Sequence, residues 1–197
     1  VRRYPFFPAG ILTRHFYARN TMNRNILVVV DMQNGVFATP RFDRAGRTAR
    51  INALIAAADR TIFILHEEGE MQAGTEAWQL LPELQPPPDA IIVKKTACDG
   101  FWHTELAATL QALDARDFVI CGCATDYCVD TTLKAGNSQG YGITVAADAH
   151  TTADRTWATA EQLIGQHNEV WAGLTMPDNP IRVESSDAIL SRWRTGG

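Results

Sequence analysis

ILVVVD, residues 26–31, is an unbroken run of aliphatic side chains that ends on a carboxylate. A strand with one face in water alternates apolar and polar residues, because successive side chains point to opposite faces. Continuous apolar character requires cover on both faces, the condition of a strand inside a parallel sheet. The pattern returns in TIFILH (61–66), IIVKK (91–95), DFVICG (117–122) and YGITVAAD (141–148), and PIRVES (180–185) reads as a sixth strand. Segments of helical period separate these runs. Ile51, Leu54, Ile55 and Ala58 recur at i, i+3, i+4 and i+7, predicting a helix over 45–59, and Leu106, Leu110 and Leu113 predict one over 103–114. A third helix is expected over 127–138, a fourth along the stripe Trp157, Ala160, Ile164, His167, Trp171, Leu174, and a short one at the end. Strand–helix alternation specifies parallel strands joined by right-handed crossovers. The fold class is therefore α/β: a three-layer, Rossmann-like fold with an open, mainly parallel sheet of about six strands and helices on both faces.

The 197 residues suit one domain, read here as 22–197. Met22 begins MNRNILVVVDMQ, which has the form of a natural start, and Arg2, Arg3, Arg14, Arg19 and Arg24 all precede the first acid, Asp31. An acid-free, Arg-rich leader also has the character of a transit peptide. Residues 1–21 are read as an N-terminal extension outside the fold. A formal charge of −4 gives nucleic acid no purchase, and no apolar run approaches the roughly eighteen residues of a membrane span. Four cysteines in an aliphatic-rich chain do not make a secreted disulfide scaffold, which points to reduced thiols and a cytoplasmic setting.

Open parallel sheets carry their chemistry at the carboxyl ends of strands, near the point where strand order reverses. Those ends read Asp31, His66, Lys95, the segment 123–128 and Asp148. Asp31 closes an apolar run, where its carboxylate either caps a turn or finds a cation. Lys95 is either solvated at a strand terminus or paired with an anion; Lys94 points to the other face. The cysteines divide by position. Cys121 and Cys123 share a strand face but form no CxxC or CxxH unit, so neither a zinc site nor a redox pair is expected, and Cys121 reads as a small buried hydrophobe. Cys128 falls in the first turn of the helix after strand four, where free N–H groups and the helix dipole favour a thiolate, with Thr125 or Asp126 as the N-cap.

VVVDMQNGVF (28–37), KTACDGF (95–101) and CGCATDYCVDTT (121–132) together resemble, in order, the three motif segments of the isochorismatase-like cysteine hydrolases. That family includes nicotinamidases, N-carbamoylsarcosine amidases and isochorismate hydrolases, and the likeness runs over about 26–174. The resemblance implies roles. Asp31 matches the catalytic acid/base, Lys95 the catalytic lysine and Cys128 the nucleophile. It also implies a cis peptide at Cys123–Ala124 and an oxyanion hole made by the Ala124 and Cys128 N–H groups. The expected reaction is hydrolysis of a small amide or carbamoyl-type C–N bond through a Cys128 thioester. The alternatives are vinyl-ether hydrolysis of an isochorismate-like substrate by Asp31 without the thiol, and a non-catalytic oligomeric binding protein on the same scaffold.

Nicotinamidases carry an aspartate-plus-histidines metal site after the first strand, but no histidine lies between Asp31 and His66 here, so neither metal nor cofactor is expected. His66, Phe37, Trp102 and Tyr127 are the candidate substrate contacts. Trp78 lies in a polar loop that could reach the site or a neighbouring subunit. Trp157, Trp171 and Trp193 read as packing, His103 and His150 as loop or helix-start residues, and His167 as a core histidine. The expected partners are a small-molecule substrate and further copies of the chain, as a dimer or larger assembly, with part of the 157–174 stripe at the subunit contact.

Overall fold

In the computed structural model, which describes residues 24–177 and 179–195, strand β1 (Ile26–Val30) is buried along its whole length. The extension read over 1–21 lies outside the described residues. β1 is flanked by β2 (Arg60–His66) and β4 (Asp117–Cys123); with β3 (Ile91–Lys95), β5 (Gly142–Thr151) and β6 (Arg182–Glu184) they form one sheet in the order β3-β2-β1-β4-β5-β6. Every pairing in it is parallel. The helices are α1 (Arg44–Ala57), α2 (Leu106–Ala112), α3 (Asp130–Ser138), α4 (Ala160–Ala172) and α5 (Ser186–Arg194).

The side chains of β1 alternate between two separate cores. Leu27 and Val29 pack with Ile51, Leu54 and Ile55 of α1 and Ile189 of α5. Ile26, Val28 and Val30 pack with Leu106 and Leu110 of α2, Leu133 of α3 and Trp171 of α4. Two covered faces explain the unbroken apolar run, and the three-layer α/β architecture follows from it.

Three expectations are corrected. β5 runs to Thr151, not to residue 148, because its ladder with β4 shifts between the Ile120–Val145 and Gly122–His150 pairings. Asp148 sits in that irregular stretch and serves the α1–α5 face. Its carboxylate accepts from Ser186 N (2.7 Å) and Ser186 Oγ (3.0 Å) and approaches Arg50 Nε at 3.5 Å. The polar residues His150 and Thr151 hid the end of this strand, yet both are fully buried. Trp157 does not pack: α4 begins only at Ala160, behind a Thr159–Gln162 capping box, and Trp157 is 95% exposed ahead of it. The helix expected over 127–138 opens as a π-type turn, Thr125–Val129, before α3 proper, and neither Thr125 nor Asp126 caps it.

β4 lies tight against β1 where the site will form. Gly122 has φ +114°, and a Cβ there would collide with the backbone oxygen and nitrogen of Val30. Only glycine satisfies both conditions. Gly122→Ala is expected to lose about 3 kcal/mol, lowering Tm by roughly 10 °C. Gly140→Ala is the control, since Gly140 has φ +92° but nothing within 4 Å, and backbone strain alone should cost about 1 kcal/mol. Equal losses in thermal melts would refute the close-approach account.

Candidate active site

Strand order reverses between β1 and β4: the chain builds outward from β1 to β3, then returns to β4 and builds the other way. A crevice opens at such a point beyond the carboxyl ends of the strands. Asp31 leaves β1 in the left-handed region (φ 48°), and its N–H donates to Ile64 O at 2.8 Å, holding the residue against β2. Lys95 closes β3 in register with His66 of β2. Cys128 is supplied by the turn after β4.

The three side chains meet on one ammonium. Lys95 Nζ lies 2.6 Å from Asp31 Oδ2 and 3.3 Å from Cys128 Sγ, and 3.0 Å from His66 Nδ1. Side-chain exposure is 0% for Lys95 and 3% for Asp31, so the ion pair is sealed from solvent. The second carboxylate oxygen, Oδ1, is buried without a well-formed hydrogen bond. Lys94 faces away, pairing with Glu67 at 3.0 Å and standing 5.4 Å from the Trp78 ring centroid.

Burial raises the Asp31 carboxyl above its ordinary range, opposed by the Lys95 charge and by contact with Cys128. For Lys95 burial acts downward, but the Asp31 carboxylate and the Cys128 sulfur outweigh it and hold the ammonium charged. The Cys128 thiol is pushed up by burial and by the Asp31 charge, with only Lys95 pulling it down. These directions keep the positive charge on Lys95 and oppose the thiolate character expected for Cys128 from a helix N-terminus. A π-type turn ending beside a carboxylate lacks the unopposed positive field that the expectation assumed. Cys123 is raised to about 12 by complete burial, and Cys121, equally buried, is raised as well. Both are core thiols.

Residues that strand-end reasoning missed hold this arrangement in place. Gln33, fully buried, accepts from His66 N (2.8 Å) and donates to the carbonyls of His66 (3.1 Å) and Trp78 (2.9 Å), tying the segment after Asp31 to β2. Thr132, one helical turn beyond Cys128, accepts from Gly100 N and donates to Cys98 O, joining the loop after Lys95 to the helix that follows Cys128. The i+4 spacing was the available signal. Asp126 receives two hydrogen bonds from Arg155 (2.8 and 3.1 Å) and one from Thr152 Oγ1 (2.5 Å). Burial would raise its carboxyl, but those bonds dominate and lower it. His150, also fully buried, bonds Thr125 Oγ1 at 2.8 Å and Asn168 Oδ1 at 2.9 Å and stacks edge-on against Trp171. It is a strand residue, not the loop or helix-start residue expected. Nothing local in the sequence marks these pairs, since their partners lie 18 to 29 residues away.

Of the candidate substrate contacts, His66 alone has a side-chain hydrogen bond to the Asp31–Lys95–Cys128 group among the described residues. Phe37 is buried in the α1-side core under the Arg44 guanidinium. Trp102 is exposed and lies edge-on to His103, and Tyr127 is exposed beneath the Arg155 guanidinium. Ala124 is buried, and the Cys123–Ala124 peptide is cis. Among the described residues no group of three His, Cys, Asp or Glu side chains is arranged to hold a metal.

A family model described as Isochorismatase domain matches residues 25–165. Streptothricin hydrolase of Streptomyces noursei is 31% identical over 137 residues, which cover 65% of this chain and 50% of that protein. Ureidoacrylate amidohydrolase RutB of Stutzerimonas stutzeri (strain A1501) is 40% identical over 72 residues, 36% of this chain and 29% of that one. The chain thus spans about half, or less, of the length of these curated relatives. The crystal structure of an isochorismatase family protein superposes with a TM-score of 0.76 at 28% identity, over 83% of this chain and 99% of that chain.

The support beneath the turn that carries Cys128 is sensitive to pH. Burial lowers His150 to about 4 from an ordinary 6.5. The unfolded chain therefore takes up this proton first as pH falls, so the stability contribution is complete above about 6.5 and is lost on descending to about 4. Between pH 7 and pH 4, wild type should lose about 3 kcal/mol more unfolding free energy than His150→Gln. Urea titrations of the two at each pH measure the difference, and parallel pH dependences would exclude His150 as the group responsible.

Proposed function

The chain belongs to the isochorismatase family, and from that premise we propose that it hydrolyses a C–N bond of a small amide or carbamoyl-type substrate. In this reading Cys128 is the nucleophile, Asp31 the general acid/base and Lys95 the activating cation. The observation that carries it is the single buried ammonium bonded to both the carboxylate and the sulfur. The matched relatives named for hydrolysis of streptothricin and of ureidoacrylate support the substrate class.

The chemistry follows from the charges. The Cys128 thiol is neutral at rest, so its proton passes to Asp31 as sulfur attacks the carbonyl carbon, and Oδ1 is the carboxylate oxygen with unused hydrogen-bonding capacity. Lys95 stays protonated throughout and steadies whichever of carboxylate or thiolate carries the charge. The oxyanion is received by the Ala124 and Cys128 N–H groups. On collapse the C–N bond breaks, and the leaving amine takes the proton from Asp31. Water then gives a proton to Asp31 and adds to the thioester. The C–S bond breaks, the acid departs, and Cys128 recovers its proton.

Steady-state assays of wild type and Cys128→Ala against small amides, ureido and carbamoyl compounds, and isochorismate test this reading. Amine or ammonia release by wild type should fall at least about 1,000-fold in the variant. Isochorismate turnover that survives in Cys128→Ala would replace it with thiol-independent vinyl-ether hydrolysis.

A further inference from the structure

We propose that His66 is a positioning residue that aims the Lys95 ammonium, rather than a substrate contact; this rests on the catalytic reading of Lys95 given above. An ammonium has three N–H groups and no lone pair. Lys95 Nζ has three acceptors at bonding distance: Asp31 Oδ2 at 2.6 Å, His66 Nδ1 at 3.0 Å and Cys128 Sγ at 3.3 Å. Each N–H is thereby committed, and the direction of the group is set by three points. Two of those points are reacting groups whose charge changes during turnover, and the imidazole is the one that takes no part in the bond changes.

Chemistry also fixes the form of the imidazole. Because Lys95 can only donate, Nδ1 must present its lone pair, so the ring is neutral and carries its proton on Nε2. Nε2 in turn faces Glu68 Oε2 at 3.2 Å. Both ring nitrogens are therefore engaged, and a substrate could bind His66 only by taking it from Lys95 or Glu68. The charged groups around the ring are Lys95 on β3, Asp31 after β1 and Glu68 on the loop after β2; the Glu67–Lys94 pair belongs to the opposite face.

The main chain of His66 is held as firmly as its ring. Gln33 accepts from its N–H and donates to its carbonyl, so a residue two places after Asp31 clamps the end of β2. The His66 side chain is 13% exposed, whereas Glu68 is 80% exposed. The buried contact to Lys95 is thus the one with mechanical consequence, and the screened one to Glu68 selects the tautomer. Without an acceptor at the Nδ1 position, a buried ammonium keeps one unpaired N–H and is free to tilt from the sulfur.

Three variants separate positioning from binding. His66→Asn returns an acceptor near the place of Nδ1, His66→Gln moves it outward toward the place of Nε2, and His66→Leu removes it. Two quantities are measured for each: kcat and KM on the best substrate from the wild-type panel, and the second-order rate of Cys128 alkylation by iodoacetamide. Expected for Leu and Gln is a 10- to 100-fold fall in kcat with KM within about threefold, and an alkylation rate reduced about tenfold. Asn should recover both to within about threefold of wild type. A rise in KM with kcat preserved would make His66 a substrate contact and overturn the proposal, as would wild-type alkylation kinetics in Leu or Gln. If Leu does not fold, Asn against Gln decides alone. Should wild type turn over nothing in the panel, the hydrolase reading fails while the alkylation series still tests His66.

Discussion

A lysine ammonium and an aspartate carboxylate lie 2.6 Å apart with almost no access to water, and every other feature of the site is arranged about that pair. Neither charge is tolerable in such a place alone, because the solvation each surrenders is worth several kcal/mol. Their attraction, together with the bonds from Lys95 to His66 and Cys128, offsets that loss and sets the geometry. The pair also crosses the sheet. Asp31 follows β1 and Lys95 ends β3, so the contact spans the end of β2, where His66 completes it. An interaction of this kind contributes little net stability for its area. What it supplies is a fixed charge pattern in a medium that does not screen it.

Cys128 reaches this pair because β4 can press against β1. Gly122 permits that contact, and the chain then enters the turn Thr125–Val129 that carries Cys128. Beneath the turn, contacts are polar as well as apolar: Thr125 is held by His150, Asp126 by Arg155 and Thr152, and Thr132 by the loop after Lys95. Apolar packing resists changes in volume, whereas hydrogen bonds resist changes in direction. A sulfur that must face both a carboxylate and an ammonium needs the second kind of constraint. Burial separates the cysteines: Cys121 and Cys123 are enclosed in the core, whereas Cys128 is only partly buried and lies beside the Asp31–Lys95 pair.

Legible in the amino-acid sequence alone were the α/β class and the strand ends at or just beyond which Asp31, Lys95 and Cys128 lie. These are local quantities, set by the period of apolar side chains and by where each run ends. It erred where polar residues are buried. β5 looked finished at Asp148 because His150 and Thr151 break the apolar run, although tertiary partners satisfy both inside the protein. It also misread Trp157, since capping groups at Thr159 and Asp154 start α4 later than the periodic stripe suggests. Only the tertiary structure decided which of the strand-end residues meet. Asp148 fell to the α1–α5 face, His66 joined the ammonium, and Cys128 came to lie beside the same Lys95 that pairs with Asp31. Pairing and protonation depend on distances between residues remote in the chain and on the water excluded from between them, and neither is written in any short stretch of sequence.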